Sequence, residues 1–323
     1  MYVSDARLEV FLARPSEAGA RALLLESRRG RRPASGEVLR WLLCLPRWDE
    51  LSPELRELTA KIVAALLPPE FEHAGFATCE LGAQRHEIAR FTGPHGDFVL
   101  VPGGRVTLGW DRSDVALTSL QRAAWNQAND DPAFVRFEQF LEVYFTPLRE
   151  ITVHPLLVEV EAREAFVYID EEEERGTEER SLQSLLEGGV ARQGLRLLTS
   201  DEWEHVCRAG SGSLFRWGDE WPRGIPHGES TDFAGHLAPN GFGLRLVSDP
   251  YRVECVSGGA VFRGGDGGGA ICGGRPQPEP WYSFASAFAY PQEFAAEDLD
   301  EFFETAMVRR ALSLPNGVPG GAR

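Results

Sequence analysis

A reaction in this chain would most readily start at Cys272. It sits in GGDGGGAICGGR, residues 264–275, between Asp266 and Arg275. A thiol set in glycine backbone with a guanidinium three residues on is accessible and can ionise below the range of a free thiol. The other four cysteines, Cys44, Cys79, Cys207 and Cys255, are scattered and form no C-x-x-C pair. An odd, dispersed set fits a reducing compartment better than a disulfide framework. The seven histidines, His73, His86, His95, His154, His205, His227 and His236, include no H-x-x-x-H or H-x-H pair, so a zinc-type ligand spacing is missing. The acidic run DEEEERGTEER, Asp170 to Arg180, lacks the D-x-D-x-D-G order of a calcium loop and reads as a solvated loop. Gly264–Gly269 has the composition of a phosphate loop, but no Lys-Ser/Thr follows it. Those glycines read as backbone turns at positive φ.

The elements that must position Cys272 come from patterning. Residues 1–90 read as an N-terminal α/β accessory unit, partly helical. Val38–Leu45 is a short apolar segment. Ser52 followed by Pro53 starts a helix, since the hydroxyl accepts a free backbone N–H and proline has none to lose. Leu51, Leu55, Leu58, Ile62 and Leu66 give that helix one apolar face, and Pro68 and Pro69 stop it. From His86 the chain reads as short antiparallel strands, HEIARF, FVLVPGG and RVTLGW, with a GPHGD turn. ITVHPLLVEVEA returns to strand character. In LLTSDEWEHVCRAG, Thr199 and Glu202 form a capping box, and Gly210 is placed to end the helix. Residues 216–290 read as loops pinned by a few short strands. EFAAEDLDEFFETAMVRRAL reads as a C-terminal helix, acidic early and with Arg309 and Arg310 late, as the helix dipole prefers; residues 293–323 are thus a helix and a tail.

The net charge of −16 disfavours a phosphate-backbone binder, which needs clustered basic surface. The arginines at 28, 29, 31 and 32 read as a solvated loop. No apolar run approaches the ~18–20 residues that a bilayer span requires, and the N-terminus lacks a signal-peptide pattern. The expectation is a cytoplasmic protein that binds neither nucleic acid nor membrane.

Six landmarks occur in one order: FVLVPGGRVTLGW, ITVHPLLVEVEA, RLLTSDEWEHVCRAG, FRWGDE, NGFGL and FRGG. Together they resemble the formylglycine-generating enzyme (sulfatase-modifying factor) family, over about Phe98 to Tyr290. YSFASAFAY stands where that family has its closing G-F-R strand. The resemblance implies an α+β fold of the C-type lectin type with long loops, here residues 91–292. It also implies a substrate groove near Arg263, Asp266, Cys272 and Arg275. Arg263 has two readings, as a groove residue or as a structural arginine that satisfies carbonyls beneath the loops.

The resemblance breaks where the family's chemistry lies. Copper-dependent members use two late thiolates, because a soft sulfur pair selects Cu(I). Downstream of Arg263 this chain has Cys272 alone, and Cys255 reads as a small core residue. The family's G-N-V-W-E-W stretch is replaced by SDPYRVECVSG, where Glu254 is kept and Tyr251 stands for the asparagine. Calcium therefore stays a candidate only on Asp249 and Glu254, copper is not expected, and no other cofactor is. The resulting expectation is a divergent member without copper oxidase activity, a pseudoenzyme that serves as a binding or accessory module for an unidentified protein or peptide. The alternative is an oxidoreductase or other enzyme that uses Cys272.

Overall fold

The structure, a computed structural model, describes residues 11, 14–28, 36–111, 113, 117, 119–128, 136–169, 181–227, 233–259, 261–275, 277–291 and 305–314. The arginines at 29, 31 and 32, the acidic run at 170–180, residues 293–304 of the expected C-terminal helix and the tail beyond 314 lie outside them.

Among the described residues the N-terminal part holds the helices α1 (Glu17–Arg28), α2 (Gly36–Leu42), α3 (Arg47–Glu50) and α4 (Pro53–Leu66). The Ser52 hydroxyl accepts from Leu55 N at 3.4 Å and opens α4. Strands begin earlier than the sequence patterning suggests. β1 (Glu72–Leu81) and β2 (Gln84–Gly93) form a hairpin, and β3 (Gly96–Val101) pairs with β2 through a turn at residues 93–96. β4 (Gly104–Leu108) then leaves this sheet and pairs with β5 (Arg149–Val153). Gly103 makes that departure possible: a Cβ there would stand 2.3 Å from Val153 O, closer than any side chain tolerates. Between β4 and β5 lie α5 (Ser119–Ala128) and α6 (Phe137–Tyr144).

The rest of the chain builds inward. β6 (Leu156–Glu159), β7 (Arg163–Glu164), α7 (Leu182–Ala191), β8 (Arg196–Leu197) and α8 (Ser200–Arg208) follow. Next come β9 (Val253–Cys255), β10 (Val261–Arg263), the short helices α9 (Gly269–Cys272) and α10 (Glu279–Tyr282), β11 (Tyr290–Pro291), β12 (Ala306–Val308) and β13 (Arg310–Ser313). A six-stranded antiparallel sheet runs β1-β2-β3-β6-β13-β8. A five-stranded sheet runs β11-β10-β9-β12-β7, with only β9 and β12 parallel. The result is a mixed α+β fold with several antiparallel pairings.

β2 crosses residue 90, and its sheet continues into β3 and β6. Leu55, Leu58 and Ile62 of α4 share one apolar core with Leu100, Leu157 and Val206. One expectation changes here: the described part of the stretch read as a C-terminal helix is not helical over residues 306–313. Ala306–Val308 and Arg310–Ser313 are strands, and the chain steps from one sheet to the other at Arg309. Arg309 and Arg310 are each 1% exposed. They face the interior because buried carboxylates await them there, a partnership that local charge patterning does not reveal. YSFASAFAY is likewise mostly turns, and only Tyr290 of it is in a strand. Its aromatic residues Tyr282, Phe284 and Phe288 pack with Trp281, Phe137, Phe140 and Phe145 in a second core.

Candidate functional site

Helix α8 is the hub. Its capping box is closed: Thr199 Oγ1 accepts from Glu202 N at 3.1 Å, and Glu202 accepts from Thr199 N at 2.9 Å. Trp203 Nε1 donates to Glu254 at 2.8 Å. Glu204 is fully buried and accepts from Gly109 N and the Thr146 hydroxyl. It also holds Arg149 at 3.1 Å and Arg208 at 3.3 Å. His205 Nε2 donates to the Pro102 carbonyl at 2.7 Å, and burial pushes its pKa down, which keeps the ring neutral. Ala209 closes the helix in the left-handed region at φ +48°, one residue before Gly210.

The other landmark segments are tied to this hub by side chains. Asn240 of NGFGL donates to Val206 O and Cys207 O and accepts from Phe242 N and Leu244 N. All of its hydrogen-bonding capacity is thereby consumed. Asp219 of FRWGDE accepts from Leu214 N at 2.8 Å. In FRGG, a Cβ on Gly265 would lie 1.8 Å from the Arg252 carbonyl, so only glycine lets the two backbones pass.

This placement buries two of the candidate site residues. Arg263 is 0% exposed; its guanidinium donates to Ser200 Oγ, Ser286 O and Phe288 O and lies 3.5 Å from Glu204. It holds the loops from below and presents no donor to a groove. Glu254 is also 0% exposed. Its Oε1 accepts from Val247 N and Arg309 Nη2, and its Oε2 from Trp203 Nε1 and Arg309 Nε, at 2.8–3.1 Å. Four donors on one carboxylate leave no lone pair for a calcium ion. Asp249, the other calcium candidate, is exposed, accepts from Tyr251 N and lies 3.9 Å from His227 Nδ1.

The remaining three candidates do gather in one loop region. Asp266 is buried and turns its loop by accepting from Gly268 N and Ala270 N. Burial pushes its carboxyl up, against those two amide donors. Cys272 closes α9, is exposed, and directs its thiol to the Tyr251 phenol oxygen at 3.6 Å. That contact pushes the phenol pKa up. The Tyr251 ring meets His227 edge-on at 4.9 Å. Arg275 Nε lies 3.5 Å from Glu279 Oε1. Burial outweighs that attraction and pushes the Glu279 carboxyl up to about 7. Beside this group, Tyr144 stacks on Tyr290 at 5.9 Å.

Tyr251, His227 and Glu279 were not among the residues read from the sequence as site residues. Tyr251 and His227 are 21 and 45 positions from Cys272, so no spacing rule finds them. Glu279 was within reach, four residues beyond Arg275. Among the described residues no group of three His, Cys, Asp or Glu side chains could hold a metal ion, and no helix is long and apolar enough to cross a membrane. No protein-family model matches the chain, and no curated protein matches it.

Proposed function

We propose that this chain is a divergent protein of the formylglycine-generating enzyme type, with the lectin-like fold of that family, and that it works as a binding or accessory module. The observation that carries the reading is the contrast between its two late thiols. Cys255 lies in β9 at 2% exposure, and burial drives its pKa to about 12. Cys272 stands on the surface against Tyr251. A sulfur pair for a soft ion needs two thiolates in one place, and these occupy unlike environments. The landmark residues Trp203, Asn240, Glu254 and Arg263 serve as internal struts, which fits a scaffold retained after its chemistry has gone. The binding face is the loop region of Tyr251, Asp266, Cys272, Arg275 and Glu279, and the partner is a protein or peptide.

Oxygen uptake by the full-length protein, supplied with Cu(I) and a cysteine-containing peptide, tests this. The expected rate equals that of copper and peptide alone. Uptake that depends on the protein and disappears in Cys272→Ala would instead favour the enzyme alternative.

A further inference from the structure

A second binding feature lies beside the five-stranded sheet, and its Asp249 end adjoins the Tyr251 side of the Cys272 loop region. After the NGFGL loop the chain runs from Arg245 to Asp249 without helix or turn. Arg245 forms a parallel bridge with Glu161. Its N–H donates to Val160 O at 3.0 Å, and its carbonyl accepts from Arg309 at 2.7 Å. Two residues on, Val247 N donates to Glu254 at 3.1 Å. Leu246 between them and Ser248 after them make no hydrogen bond among the described residues. Engaged and open residues thus alternate, as in a strand paired along one edge only.

These residues line an open cleft of about 250 Å³, with Ala162 and Met307 among its walls. Leu246 is only 6% exposed, and unpaired backbone groups in so covered a segment gain from a partner. The two arginines beside the cleft are already engaged: Arg245 lies 3.4 Å from Glu161, and Arg252 lies 3.4 Å from Glu164. Asp249 has an exposed carboxylate that lies 3.9 Å from His227 Nδ1, and the chain carries a net charge of −16.

We propose that this cleft receives an extended peptide segment of a partner protein, added as a strand along Leu246–Ser248. Main-chain hydrogen bonds supply affinity in such additions, and alternate side chains supply choice. Here the inward side chains are apolar, against Ala162, Leu246 and Met307, and a basic side chain answers Asp249. The inference deepens the binding-module reading by naming the class of partner, but it does not depend on the family resemblance.

The test is selection of a random peptide library displayed on phage against the full-length protein, followed by hydrogen exchange with a selected synthetic peptide. Selected peptides should alternate apolar residues with at least one basic residue, and binding should slow exchange at the Leu246 and Ser248 amides. Ser248→Pro removes one donor and Ala162→Trp fills the cleft; each should weaken binding about tenfold with the thermal midpoint unchanged. If either variant fails to fold, exchange in the native protein decides. Failure to enrich any peptide, or binding that leaves both amides unprotected, would overturn the proposal. Neither result bears on the copper and oxygen assay, so the two readings fail separately.

Discussion

Glu254 shows how much a single side chain carries here. Its carboxylate unites Trp203 of α8, Val247 of the cleft edge and Arg309 at the crossing between sheets. Removing one partner of a buried ion pair costs more than the pair itself contributes, because the remaining charge is left in a poor solvent. Glu254→Ala should therefore lower stability by roughly 3–5 kcal/mol in urea unfolding. The double variant Glu254→Ala, Arg309→Met should recover part of that loss. A loss under about 1 kcal/mol in the single variant would show that water enters and solvates Arg309. Glu254 stood out in the sequence as a residue that matches the resembled motif. Its task did not, since Arg309 is 55 positions away and read as the end of a helix. Arg263 is similar: its two readings differ only in burial, which one sequence cannot supply.

Between elements, His86 joins three pieces of the fold. From β2 its Nδ1 lies 2.9 Å from Asp49 of α3, and its Nε2 lies 2.8 Å from the carbonyl of Ala209, the left-handed cap of α8. Carboxylate and carbonyl both accept, so both ring nitrogens must donate, which only the cation can do. Burial alone would lower the pKa, but the Asp49 bond, the Ala209 carbonyl and the Asp49 charge together raise it above the ordinary 6.5. A native pKa above the unfolded one means that the folded protein binds the extra proton. This contribution is complete below pH 6.5 and disappears as pH rises through the higher native value. The stability difference between wild type and His86→Gln should thus shrink on going from pH 6 to pH 9 in denaturant titrations. A constant difference would mean that the tie does not depend on the charge. At this scale the sequence was most informative about local devices. The Ser52 cap, the Thr199–Glu202 box and the turn at residues 93–96 were all visible in it. It was least informative where pairing is remote. β4 turns to β5 because Gly103 passes close to Val153, and the alternation in AMVRRALS was hidden by two arginines whose acids lie elsewhere in the chain.

Across the whole molecule, one apolar core and one aromatic core support loops that converge on Cys272, Tyr251 and Glu279, and side-chain struts between the landmark segments fix the loops from below. The mixed α+β class was readable from alternating patterns and turn residues. The extent of the shared core was not, because the strands before His86 carry little alternation: β1 is half-exposed along most of its length. The central proposal is that this scaffold does not bring two sulfurs together. Its most direct test is titration of the reduced full-length protein with Cu(I) against a competing chelator, in wild type, Cys255→Ala and Cys272→Ala. The account predicts no tight stoichiometric site in wild type and no difference among the three. One tightly held copper per chain, lost in both variants, would contradict it.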